Sequence, residues 1–309
     1  MQHSFINIAP THTNDKSLKI HYVEAKPNNP KGLIVFLHGF PQFWYVWKPY
    51  LDYFSTIGFH VLAPDLRGFN DSDKPKERSS YDIKYLMNDI LAIIEHCGYK
   101  KAIIIGHDWG GSIVWELAEH HPEKIEIAIV VNSPHRGAFA ANIRKNSFLN
   151  LRQTLRSWYI YFFQLPLLPE LAISCCNFAW LEHNFRSWAT KKDAFSDKDI
   201  EQYKDALRKP GALTAAINYY RANTFGEFGM GVVQASMGKK RFGKISVPSL
   251  LVWGDQDPPL DRRLTDNMEE FFSDTFRSLH IANGSHWGLH EHFDRICKEI
   301  TRFIDEYKK

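Results

Sequence analysis

An apolar run, Ala102 to Ile105, passes into Gly106-His107-Asp108-Trp109-Gly110-Gly111 and then into a helical pattern, Gly110 to His120, that Pro122 ends. A short continuous apolar run suits a strand covered on both faces, the habit of parallel sheets. Glycines on either side of Asp108 permit a sharp, strained turn between strand and helix. A chain built on such strand, turn and helix units is neither all-helical nor all-β.

The same alternation recurs. Leu18 to Glu24 alternates, Leu33 to Leu37 is continuously apolar, a helical stretch follows to about Ile57, and Val61 to Ala63 is a short strand closing at Pro64-Asp65. Between Asp82 and Cys97, apolar Ile83, Leu86, Met87, Ile90, Leu91 and Ile94 form a helical stripe that Gly98 stops. Ile125 to Val131 is another strand. From about His135 to Gly243 the pattern turns helical, aromatic and punctuated by Pro and Gly, with no central strand. Strands resume at Leu250 to Trp253 and Arg277 to Ile281, and a helix closes the chain from about His290 to Tyr307. At roughly 150 residues per domain, 309 residues allow one large domain or two smaller ones. The expectation is an α/β class chain: a doubly wound, mostly parallel sheet in residues 1–135 and 244–309, split by an inserted helical cap over 136–243.

Composition narrows the function. A net charge of +3 and a charged fraction of 24% exclude an acidic tail or a nucleic-acid binder driven by bulk charge. The 9 Trp, 13 Tyr and 22 Phe exceed what a core needs and point to an aromatic-walled pocket. Cys97, Cys175, Cys176 and Cys297 lack C-x-x-C spacing, so no metal or redox site is expected and a reduced compartment, the cytoplasm, fits. The polar N-terminus, with His3 and His12, lacks the pattern of a signal peptide. The longest apolar stretch, Trp158 to Ile173, is broken by Pro166 and Pro169 and falls short of the ~20 residues that span a bilayer. It reads as buried or pocket-lining, and no transmembrane segment is expected.

The chemistry centres on Asp108. At the apex of a nucleophile elbow a serine needs a base, whereas an ionised carboxylate attacks a saturated, electrophilic carbon directly. The alternative is a tight turn with Asp108 as helix N-cap. In this kind of sheet the partners follow in the order acid, then histidine. Asp257, in Gly254-Asp255-Gln256-Asp257, and His286, in Asn283-Gly284-Ser285-His286-Trp287, each leave the C-terminal end of a strand, where ligand crevices form. Asp255 competes with Asp257. After His38-Gly39-Phe40-Pro41, the backbone N–H groups of Phe40 and Trp109 are candidates for an oxyanion hole, and His38 reads as a buried histidine bonding local backbone.

These motifs, with Trp44-Tyr45-Val46-Trp47 and Asp65-Leu66-Arg67-Gly68-Phe69, closely resemble the soluble and vertebrate-type epoxide hydrolases of the α/β-hydrolase fold. The likeness covers almost the whole chain, including Tyr159-Ile160-Tyr161-Phe162-Phe163-Gln164-Leu165-Pro166 and Asn218-Tyr219-Tyr220-Arg221. It implies Tyr159 and Tyr220 as ring-opening tyrosines, with Tyr161 and Tyr219 as rivals. Opening an epoxide leaves an alkoxide, which two phenols can bind and protonate. The resemblance implies a small apolar epoxide as substrate, a vicinal diol as product, no metal or organic cofactor, and a monomer or homodimer.

Two other classes stay in view. A haloalkane or haloacetate dehalogenase uses the same Asp, acid and His, but Phe40, Trp109 and Ser112 stand where those enzymes resemble one another in carrying amide or arginine side chains. A non-catalytic member of the fold would bind a small apolar ligand only. A serine esterase is excluded, since the elbow carries no hydroxyl. His120-His121, Lys239-Lys240-Arg241 and Arg262-Arg263 read as solvated surface. Asp71 and Asp73 read as caps on a local turn, with Arg67 tying down the same loop.

Overall fold

The computed structural model describes residues 1–10 and 17–308; His12 lies outside the described residues. Eight strands form one sheet in the order β1-β2-β4-β3-β5-β6-β7-β8. They are β1 (Gln2–Ile8), β2 (Leu18–Ala25), β3 (Leu33–Leu37), β4 (His60–Pro64), β5 (Ala102–His107), β6 (Ile125–Val131), β7 (Ser249–Gly254) and β8 (Phe276–Ile281). β1 and β2 pair antiparallel, β2 joins β4 antiparallel, and every later pairing is parallel. The central strands β3, β4 and β7 are buried at every position, as two-sided covering requires.

β1 is absent from the sequence reading. It buries only Ile6 and Ile8 and shows Phe5, Asn7 and His3 to solvent, so as a half-solvated edge strand it looks polar. The helical stretch before Ile57 is also shorter than it reads: a 3₁₀ turn, Trp44–Trp47, precedes α1 (Lys48–Thr56), with Pro49 at the second helical position. α2 (Ile83–His96) is capped by the Asp82 side chain accepting from Lys84 N–H, and α3 (Trp109–His120) starts directly after Asp108.

Between β6 and β7 the chain runs through α4 (Arg136–Lys145), α5 (Ser147–Arg156), α6 (Trp158–Phe162), α7 (Leu168–Trp188), α8 (Asp197–Arg208), α9 (Ala212–Asn223) and α10 (Glu227–Ser236). α7 is broken where Cys176, Asn177 and Phe178 take positive φ. α11 (Gly288–Glu291) and α12 (Phe293–Tyr307) end the chain. One apolar layer joins a sheet face to α1 and α12; the other joins the opposite face to α2, α3 and the helices after β6.

Two sequence expectations need correction here. The apolar stretch Trp158 to Ile173 is only partly buried or pocket-lining: Phe163, Pro169 and Ile173 are buried and Trp158 and Tyr159 line a cavity, but Trp158, Tyr161, Leu165, Leu167, Leu168 and Leu171 are exposed. Asp71 and Asp73 reach beyond their own turn. Asp71 pairs with Lys209 at the end of α8 at 2.5 Å, and Asp73 accepts from Lys19 N–H of β2 at 2.8 Å. Arg67 does anchor the loop, through a buried two-point pair with Asp89 of α2 at 2.5 and 2.6 Å.

Candidate active site

The elbow is packed backbone on backbone. A Cβ on Gly106 would overlap the carbonyl of Gly110, and one on Gly110 would overlap the carbonyl of Leu37, so neither position accepts a side chain. That contact lets α3 start immediately and leaves Asp108 at φ 51°, ψ −118°, a conformation outside the favoured regions for a side-chain-bearing residue. Its carboxylate is thereby aimed away from the sheet. Gly39 approaches Asp108 so closely that a Cβ there would collide with it.

Four neighbouring strands contribute at their C-terminal ends. Asp108 follows β5, Asn132 follows β6, Asp257 follows β7 and His286 follows β8. His286 Nδ1 lies 2.8 Å from Asp257 Oδ2, and its Nε2 lies 3.9 Å from Asp108 Oδ2. Asp257 is therefore the carboxylate that reaches His286. Asp255 points elsewhere, to His280 at 2.7 Å and Arg262 at 3.5 Å. Phe40 N–H donates to Asp108 Oδ1 at 2.8 Å, and Trp109 N–H also bonds this carboxylate.

The surroundings set the charges. Burial pushes the Asp108 carboxyl upward, and His286 with the two N–H groups pulls it back without cancelling the effect. For His286 burial opposes the imidazolium, but Asp257 by charge and hydrogen bond, and then Asp108, outweigh it and hold the ring above the usual histidine range. Tyr159 and Tyr220 are pushed well above the ordinary phenol range, first by burial and then by the Asp108 charge, so both are neutral donors. Their rings sit 5.9 Å apart, edge to face. Both line, with Asp108 and His286, one cavity of about 560 Å³, which Trp180 and Trp188 of α7 also line.

The rival tyrosines lie elsewhere. Tyr161 is exposed. Tyr219 is fully buried and donates its hydroxyl to Arg67 O at 2.9 Å, which ties α9 to the loop after β4. His38 is buried too, with Nδ1 bonding Gly39 O and Nε2 accepting from Leu66 N–H; burial lowers it to about 4. Phe40 lines the cavity, edge-on to Tyr220, and Trp109 also packs edge-on against Tyr220.

Residues 32–293 match the family model of the alpha/beta hydrolase fold. Epoxide hydrolase 4 of Mus musculus is 36% identical over 296 residues, covering 94% of this chain and 78% of that protein. The chain belongs to the epoxide hydrolase family of the α/β hydrolase fold. Epoxide hydrolase 1 of Caenorhabditis elegans is 33% identical over 298 residues, 95% of this chain and 69% of that one. The solved structure of a Bacillus megaterium epoxide hydrolase in complex with an inhibitor superposes with a TM-score of 0.84 at 29% identity, covering 98% of this chain and all of the other.

This epoxide hydrolase family member has positioning groups that sequence reasoning missed. Asn132, at φ 46° and fully buried, donates from Nδ2 to Asp257 Oδ2 at 2.7 Å and accepts Gly254 N–H at 3.2 Å. It fixes the acid to its strand. Its one sequence signal is an amide directly after an apolar strand, at the sheet edge where the other site residues emerge. Leu260 N–H holds Asp257 Oδ1 at 2.8 Å, and Arg156 donates to Asp257 O at 3.2 Å. His107, buried and neutral, bonds His286 O at 2.9 Å and pins the histidine loop to β5. No spacing rule exposes these contacts, since each partner is more than 100 residues away or carries only a backbone atom. Among the described residues, no helix is long and apolar enough to cross a membrane.

Proposed function

We propose that this chain converts a small apolar epoxide and water to a vicinal diol through a covalent ester on Asp108. The observation that carries the reading is that two neutral phenols, Tyr159 and Tyr220, line the same cavity as a buried, hydrogen-bonded carboxylate at an elbow apex. Asp108 attacks an epoxide carbon, the C–O bond breaks, and a tyrosine gives its proton to the alkoxide as it forms. His286 then takes a proton from water, which adds to the ester carbonyl of Asp108. Phe40 N–H and Trp109 N–H, already on the carboxylate, stabilise the oxyanion. Collapse frees the diol and Asp108, and the proton on His286 restores the tyrosine. Asp257 orients the imidazole and balances its charge.

No step needs a metal or organic cofactor from this residue set. We place residues 136–243 as the cap that supplies the tyrosines, and 1–135 with 244–309 as the core that supplies the nucleophile and base. The test is intact mass after exposure to an epoxide. His286→Gln should gain the mass of one substrate and keep it, and Asp108→Ala should gain none. A His286→Gln protein that gains no mass from an epoxide the parent hydrolyses would overturn the two-step scheme.

A further inference from the structure

Along α5, Phe148, Leu151 and Leu155 recur at steps of three and four and are 65, 61 and 66% exposed; Trp158 beyond them is 55% exposed. The buried side of the same helix is Leu149 and Gln153. The helix thus turns an apolar stripe outward, the reverse of one packed against a core. All four outward residues also border the cavity that holds Asp108. They are the rim of its mouth. Scattered exposed leucines are ordinary, but a stripe contiguous with a cavity entrance marks a contact surface.

Charge indicates what covers it. From Arg136 to Pro169 the chain carries five cations, Arg136, Arg144, Lys145, Arg152 and Arg156, and no acidic side chain. Arg136 is taken up by Glu116, and the buried Asp261 meets Arg152 and Arg156 at 3.2 and 3.9 Å. Arg144 and Lys145 end α4 in solvent, with only Asn146 and Ser147 between them and the start of the stripe at Phe148. Long cationic side chains beside leucines and a tryptophan match a helix lying in the plane of a bilayer, its apolar side down and its cations among anionic headgroups. A second copy of the chain fits poorly, because a self-pairing face would set this one-signed segment against itself.

We propose that the face formed by α5 and Trp158 docks on an anionic lipid surface, so that the cavity mouth opens onto the acyl layer. The chain is sedimented with vesicles of phosphatidylcholine alone and with about one-third phosphatidylserine. It should travel with the anionic vesicles. Leu151→Glu with Leu155→Glu should cut that partition about tenfold or more with the thermal transition kept, since both sites are exposed. Arg144→Glu with Lys145→Glu should weaken it several-fold and leave turnover of a dispersed substrate unchanged. The proposal fails if the parent stays in solution with both vesicle types, binds both equally, or binds no better than the variants. It also fails if light scattering without lipid finds a parent dimer that the leucine variant splits. Binding is read without turnover, so failure here leaves the chemistry at Asp108 standing.

Discussion

Asp108, Asp257 and His286 stand on backbone that sheet register fixes, whereas Tyr159 and Tyr220 stand on helices joined to the sheet through side chains. On the sheet side the decisive contacts are backbone to backbone, Gly106 on Gly110 and Gly110 on Leu37, with Asn132 linking two strand ends. On the helical side they are single bonds such as Tyr219 to Arg67 O and Gln153 to Pro259 O. Charge is therefore placed by elements with almost no tolerance for substitution. The phenols proposed as proton donors are placed by packing that substitution can shift.

Three measurements bear on this contrast. The largest effect is expected on the sheet side, where Asp257→Asn removes the partner that holds His286 above the usual histidine range. Ester hydrolysis should slow by about 10⁴-fold while ester formation survives, and a variant slow in both steps would contradict the assignment. On the helical side, Tyr159→Phe combined with Tyr220→Phe should slow ester formation by about 10³-fold without unfolding the protein. Parent-like burst kinetics would reject both tyrosines.

The smallest effect, residue by residue, concerns stability. His38 and His290 are each held by burial at about 4, against an ordinary 6.5, and His107 is also held well below it. The unfolded chain protonates these rings near 6.5 and the folded chain does not. Their contribution is complete above that value and is lost as pH falls toward 4, by about 3 kcal/mol for each of His38 and His290. His286, raised, acts in the opposite sense: its share is present below 6.5 and disappears as pH rises through its folded value. Denaturant titrations at pH 7 and pH 4 should show a net loss at the lower pH. A flat profile would mean that the sheet-side histidines are not dry.

Most of the sheet was legible in the sequence because buried parallel strands must be continuously apolar and the helices between them must carry stripes, as in Ile83 to Ile94. The elbow was legible because only glycine fits on either side of Asp108. Edge strand β1 was not, since one of its faces meets water. Asn132 was hidden by being a single amide whose meaning depends on a residue 125 positions away. The apolar run after Trp158 misled because hydrophobicity reports a preference to leave water and not what will cover the side chain.

α5 faces two ways. Outward it shows leucines; inward its Gln153 amide grips Pro259 O at 2.8 Å and Asp261 N–H at 3.0 Å, while Arg156 grips Asp257 O. The rim of the entrance and the loop carrying the histidine's acidic partner are thus one mechanical strut. On the proposed mechanism, a bulky guest or a supporting surface that shifts the doorway would also disturb the carboxylate that orients His286.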